Sequence, residues 1–204
     1  MRIYNLKVEQ FRLLDLPVDL PCGVVIIGGA ARAMARLAVT GEFEPVRDID
    51  LGYMPRITNV EASVLDNLAW KYAPEDASHG HGVQVVKSVS HYLRTRDFTI
   101  NESLVVGKRL ILSEECEDDL IHNRIRLSSF EEDNGEMNRL SCKAIYLAAS
   151  LERLGIRADC GWADQESCYG FQFCLFAEKA YQRNALDAYL KRMGASRMDL
   201  KETG

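Results

Sequence analysis

The sequence predicts an α+β fold, with a sheet and attendant helices over residues 1–113 and a helical part over residues 114–200. Three observations carry this expectation. The β-branched run Val24–Ile27 stops at Gly28-Gly29 and the strongly helix-forming AARAMARLA follows, which reads as strand, glycine turn and helix. Further short strand patterns recur down to about residue 113, among them DIDLGYM and the pair LVV and RLIL about a Gly107-Lys108 turn. Past Ser113 the character changes, and NRLSCKAIYLAASLERLG is the clearest helical stretch.

The elements follow in order. The opening segment, MRIYNLKVEQFRLLDL, alternates charged with apolar residues and lacks the apolar core of a signal peptide. After the strand-turn-helix unit, GEFEPVR carries a Gly and a Pro and reads as a loop. DIDLGYM is then a short strand whose alternation places Asp48 and Asp50 on one face. Between Asn59 and Tyr72, the residues Val60, Val64, Leu65, Leu68, Ala69 and Tyr72 recur at helical spacing, as in an amphipathic helix laid on the sheet. PEDASHGHG breaks that helix, and Val83 to Val89 is β-rich, so that with the hairpin the count reaches four or five strands. The acidic run EECEDD reads as a solvated loop, and Gly155 stops the helix that precedes it. A last helical stretch spans about Glu166 to Met193, with Phe173, Phe176, Ala177, Ala180, Leu186, Tyr189 and Leu190 as its buried face.

Composition narrows the classes. With 204 residues, 47% hydrophobic and 27% charged, the chain is of ordinary globular make-up and long enough to bury an adequate core. No run approaches the roughly 20 apolar residues of a membrane span, and a cytoplasmic location is expected. The cysteines, Cys22, Cys116, Cys142, Cys160, Cys168 and Cys174, show no CxxC spacing and read as reduced structural thiols. A net charge of -5 argues against a broadly basic binder of nucleic acid. Basic side chains are nonetheless concentrated at Arg94, Arg96, Lys108, Arg109, Arg124 and Arg126, and again from Lys179 to Arg197.

The chemistry lies in the Gly-Gly turn followed by two aspartates one residue apart. A glycine turn ahead of a helix lets backbone N–H groups and the positive end of the helix dipole approach a triphosphate. Two carboxylates at i and i+2 on a strand face suit a pair of Mg2+ ions that activate a hydroxyl and stabilise leaving pyrophosphate. His79 and His81 have no suitably spaced partners and read as part of a turn, and His91 and His122 as surface residues.

GGAAR (Gly28 to Arg32), RDIDL (Arg47 to Leu51), HGV (His81 to Val83) and above all RDFTIN (Arg96 to Asn101) resemble the head of the bacterial-type, class II CCA-adding tRNA nucleotidyltransferases and poly(A) polymerases, within the DNA polymerase beta superfamily. DLIHNRIRL and EMNRLSCKAIYLAASLERLGI resemble the family's approach to the neck and its neck helix, so the likeness covers roughly residues 22 to 156. It implies a DNA polymerase beta-like sheet, antiparallel-mixed with helices on one side, and a helical neck. It also implies that Asp48 and Asp50 are the catalytic metal ligands for two Mg2+ (or Mn2+) ions, and that Gly28, Gly29 and Arg32 lie at the triphosphate. Arg96 and Asp97 would line the nucleotide, Asn101 would contact the ribose or sugar-phosphate region, and Glu136 and Arg139 would read the base.

The chain departs from the family in having Ala33 where an aspartate is usual, Thr95 between Arg94 and Arg96, Glu136 in place of aspartate, and Cys142 in place of an arginine. No Asp or Glu lies between Val83 and Leu93, which leaves two carboxylates and the nucleotide's own phosphates to hold the metals, with Asp97 more distant. Family members that process tRNA are considerably longer. The implied partners are an NTP and an RNA 3′ end, with the late basic residues as a reduced RNA grip. Transfer to a protein or small-molecule hydroxyl, which shortness and acidic charge favour, and a catalytically degenerate nucleotide-binding protein are the alternatives.

Overall fold

Strands and helices alternate through the first 122 residues to build one mixed sheet, and the computed structural model describes residues 1–46, 48–57, 59–72, 83–129 and 137–163. The chain divides into two compact units, Met1–His122 and Asn123–Gly204.

The first unit contains, in chain order, β1 (Arg2–Asn5), α1 (Val8–Leu13), β2 (Val24–Ile27), α2 (Gly28–Thr40), β3 (Asp50–Tyr53), α3 (Ala62–Lys71), β4 (Gln84–Val85), α4 (Val89–Arg94), a 3-10 turn at Thr99–Asn101, β5 (Ser103–Val106), β6 (Arg109–Leu112) and α5 (Glu114–His122). The six strands described lie in the order β1-β6-β5-β2-β3-β4. β3 and β4 run parallel, and every other described pair is antiparallel.

Central β2 is apolar at all four positions because both its faces are covered. Val25 and Ile27 share a buried cluster with Met54, Val86, Leu104 and the α4 residues Tyr92 and Leu93. Val24 and Ile26 point the other way and are equally buried, and α2 packs along β2, β5 and β6. The small residues Ala30, Ala31, Ala33 and Ala35 on α2 are all buried, which lets the helix approach the sheet closely. Gly41, at φ +76, ends that helix in the left-handed conformation, its N–H returning to the Leu37 carbonyl at 3.2 Å.

The structure departs from the sequence expectation in four places. The opening segment supplies a strand, β1, paired with β6 from Arg2↔Leu112 to Asn5↔Arg109. It is a largely exposed edge strand and therefore lacks an apolar signature. The β-rich run from Val83 yields only the two residues of β4, because Ser88 caps α4 by accepting the His91 N–H at 3.2 Å. α3 forms where periodicity places a helix, yet Ala69 is its one buried residue, with Val64 37% and Trp70 60% exposed. The acidic run is helix α5 rather than a loop: Ser113 accepts the Cys116 N–H at 2.9 Å, and the glutamates of the first turn favour the helix dipole. Its inner face buries Cys116, Asp119 and Leu120, and Asp119 accepts the Thr99 hydroxyl.

The second unit holds α6 (Met137–Glu152), with Leu140, Ala144, Ile145, Ala148 and Leu151 buried. Gly155, at φ +79, follows its end, where its N–H reaches the Glu152 carbonyl at 2.9 Å. Arg124 and Asp159 form a parallel bridge, and the Trp162 indole donates to the Ile125 carbonyl. The expected helix from about Glu166 to Met193 lies outside the described residues. Of the cysteines, Cys116 and Cys160 are buried and Cys22 is exposed, and none of these three is in a disulfide. His91 and His122 are exposed. No described helix is long and apolar enough to cross a membrane.

Candidate active site

The site begins where β2 becomes α2. Ile27 pairs with Asp50, and there the β2–β3 ladder ends, because the next residue, Gly28, already opens the helix. Asp50 is therefore the first residue of β3, and Asp48 lies two residues ahead of it. Both are half-buried.

Gly28 sits at φ +64, and a Cβ added to it would lie 2.3 Å from Asp50 Oδ2. A carboxylate thus occupies the place where any other residue would carry its side chain, and the backbone conformation itself favours glycine. The Gly28 N–H donates to the Tyr92 hydroxyl at 3.3 Å. Ile27, at the N-cap, supplies no side-chain hydrogen bond, and the first turn of α2 has no acidic residue. Asp50 consequently lies beside a helix N-terminus that no N-cap side chain closes. Gly29 differs: a Cβ there would meet only Arg32 Nη2, at 3.9 Å, so the protein itself leaves room for a side chain.

A buried polar chain runs behind this turn. Arg32 donates to Glu44 Oε1 through Nε at 3.0 Å and Nη2 at 2.6 Å, and through Nη1 to Asn101 Oδ1 at 2.9 Å. The Asn101 amide donates to Asp97 Oδ1 at 2.8 Å, which also accepts the Phe98 N–H at 2.9 Å. One helical turn on, fully buried Arg36 reaches Glu44 Oε2 at 3.4 Å and Glu42 Oε2 at 3.0 Å. Burial alone would lower the Arg32 pKa, but the Glu44 carboxylate, its hydrogen bond and Asp97 more than offset this, leaving it raised and the guanidinium charged.

Arg96 lies over the Tyr92 ring, its guanidinium carbon 3.9 Å from the centroid, and donates to the Tyr92 carbonyl at 3.1 Å. Burial raises the Tyr92 hydroxyl pKa against the lowering influence of Arg96 and the Gly28 N–H, and Asp50 adds to the rise. The fold thus gathers Gly28, Asp50, Arg96 and Tyr92 at one place, and Arg32, Asn101 and Asp97 in one chain of hydrogen bonds.

Two participants, Glu44 and Tyr92, carry no motif. Glu44 stands in a loop read only for its Gly and Pro, and Tyr92 just past the β-rich run Val83 to Val89. Their signal is position in space, which spacing does not give. Glu136 and His81 lie outside the described residues, and Arg139 is described only as backbone in α6. Among the described residues no group of three or more His, Cys, Asp or Glu is placed to hold a metal ion.

The strand order and the helices define a fold shared with CCA-adding enzymes. An apo form of a CCA-adding enzyme matches with a TM-score of 0.51 at 16% identity, over 87% of this chain and 49% of that one. The Thermotoga maritima CCA-adding enzyme complexed with tRNA gives a TM-score of 0.43 at 18% identity over 83% of this chain and 42% of that chain. A CCA-adding enzyme complex with ATP gives 0.44 at 18% over 83% and 43%. This chain spans less than half the length of these structures. The sequence matches no protein-family model and no curated protein.

Proposed function

We propose that the chain is a metal-dependent nucleotidyltransferase that moves a nucleoside monophosphate from an NTP, CTP or ATP in preference, to the 3′-hydroxyl of a tRNA-like RNA. One observation carries the reading: the Asp50 carboxylate occupies the Cβ position of Gly28 at the N-terminus of α2. A helix N-terminus attracts phosphate, whereas a carboxylate at the same place repels it. A triphosphate at that terminus beside Asp50 calls for a divalent cation between the two anions.

The donor set fits such a cation, since carboxylate oxygens are hard ligands and the nucleotide's own phosphates complete a shell that two side chains leave open. Asp48 and Asp50 would hold two Mg2+ or Mn2+ ions, which when bound polarise the reacting phosphate and lower the pKa of the attacking hydroxyl. The triphosphate lies at the Gly28-Gly29 turn and is bound by the N–H groups of α2 from Gly29 onward, the Gly28 N–H being taken by the Tyr92 hydroxyl. Arg96 and Asp97 line the nucleotide, and Asn101 meets its ribose, held from behind by Arg32. Glu136 and Arg139 read the base, and the basic residues from Lys179 to Arg197 grip the RNA.

Incubation with each labelled NTP, Mg2+ and total RNA tests this. The expected result is label at RNA 3′ ends from CTP or ATP. Label on protein or on a small molecule, with none on RNA, refutes the RNA acceptor; no label on any acceptor refutes the transfer itself.

A further inference from the structure

We infer that Glu44 is a positioning residue of the nucleotide site: it clamps Arg32 and, through Arg32, sets the Asn101 amide. The inference rests on the proposed function in one respect, that Asn101 faces the nucleotide. Glu44 lies between α2 and β3, in the connection that also carries Asp48, and is 6% exposed. A carboxylate so buried requires charged partners, and it has two, Arg32 and Arg36 from successive turns of α2. Ala33, next to Arg32 and itself buried, offers no carboxylate, so the counter-charge comes from the connecting loop.

The consequence falls on Asn101. With Nε and Nη2 of Arg32 committed to Glu44, Nη1 is directed at Asn101 Oδ1, 2.9 Å away. A guanidinium only donates and a carboxylate only accepts, so Arg32 on one side and Asp97 on the other allow a single orientation of the amide. Asn101 Nδ2 then faces Asp97 Oδ1 at 2.8 Å. Remove the charge of Glu44 and Arg32 loses the anchor that aims Nη1, so the amide loses its fixed setting while Asn101 and Asp97 stay in place in sequence. A merely structural Glu44 would neutralise two buried arginines without influencing Asn101 in particular.

NTP affinity with Mg2+, measured on wild type, Glu44→Gln, Asn101→Ala and the double variant, separates these roles. The expected result is a loss of about tenfold for each single variant, the range of a charge-assisted hydrogen bond, and no further loss in the double variant, since both act through one contact. Additive losses, or unchanged affinity in folded Glu44→Gln, overturn the inference. If Glu44→Gln does not fold, Glu44→Asp keeps the charge but withdraws it by one methylene, and the same cycle with Asn101→Ala is read on that variant. A second readout needs no nucleotide. The Asn101 side-chain NH2 resonances, assigned by their loss in Asn101→Asp, should shift in the Glu44 variant, and resonances that stay put overturn the inference. Failure of wild type to bind any NTP counts against the proposed function alone, because the amide resonances still report whether Glu44 governs Asn101.

Discussion

Replacing Gly28 by alanine should damage the site more than it damages the fold. The added methyl meets Asp50 Oδ2 at 2.3 Å, and φ is +64. Holding an L-residue in the left-handed conformation costs roughly 1–2 kcal/mol. The clash adds less than a core overpacking would, about 1 kcal/mol at the low end of that range, because the atom in the way is the end of a rotatable side chain. A total of about 2–3 kcal/mol is a fraction of the 5–15 kcal/mol that stabilises a typical domain, so Gly28→Ala should fold. Asp50, however, must turn away from the helix N-terminus, which removes the arrangement on which the proposed metal-assisted transfer depends. Gly29→Ala is the control, since its Cβ would lie 3.9 Å from Arg32 Nη2, an ordinary contact. Urea unfolding and NTP turnover on both variants should show Gly28→Ala moderately destabilised with turnover lowered at least a hundredfold, and Gly29→Ala close to wild type in stability. Equal behaviour of the two variants, or full turnover in Gly28→Ala, refutes the reasoning.

Gly29→Val should weaken NTP binding with little loss of stability, because the protein has room for the side chain and a bound triphosphate would not; unchanged ATP affinity in the folded variant places the nucleotide elsewhere. CTP and ATP should bind better than UTP and GTP by tenfold or more, on the order of 1–3 kcal/mol per mismatched group. On the proposed reading the carboxylate of Glu136 would accept from the amino group of C or A, and Arg139 would donate to the adjacent ring nitrogen. Selectivity for UTP or GTP, or selectivity that survives Glu136→Ala, contradicts the base-reading role. Tyr4 donates to Glu117, and this hydrogen bond, ahead of burial, pushes the phenol pKa up to about 12 from 10.0. The neutral phenol is the favoured form in the folded state, so its contribution is complete below pH 10 and is lost as pH rises toward 12. Tyr4→Phe should flatten that part of the alkaline stability profile, and an unaltered profile would show that the bond contributes nothing.

The strand-turn-helix at Val24–Thr40 was legible because its β-branched run and alanine-rich sequel obey local propensity, and the β5–β6 hairpin because Gly107-Lys108 supplies its turn. Edge strand β1 was not, since its faces are mostly in water and pairing with β6 is a long-range event. The acidic helix α5 was misread for a related reason: charge suggested solvent, while Ser113 and the helix dipole favoured a helix whose inner side buries Cys116 and Leu120. At the site, the order of Gly28, Asp48, Asp50 and RDFTIN pointed to phosphoryl-transfer chemistry. The strand that DIDLGYM suggests begins only at Asp50, because β2 ends opposite it at Ile27, so that Asp48 falls ahead of the ladder. Glu44 and Tyr92 became visible only once the chain was folded, because each acts on a residue far away in sequence: Glu44 on Arg32 twelve positions back and Tyr92 on Gly28, sixty-four back.

The most direct test of the central claim is transfer of label from CTP or ATP to an RNA 3′ end by wild type, Asp48→Asn and Asp50→Asn, with folding checked by circular dichroism. Both residues are half-buried, Asp50 opening β3 and Asp48 two residues ahead of it, so the isosteric amides should leave the fold intact. The account predicts that each variant loses turnover by orders of magnitude, because an amide oxygen is a far poorer ligand for a divalent cation than a carboxylate. Wild-type turnover in the Asp48→Asn, Asp50→Asn double variant would contradict it.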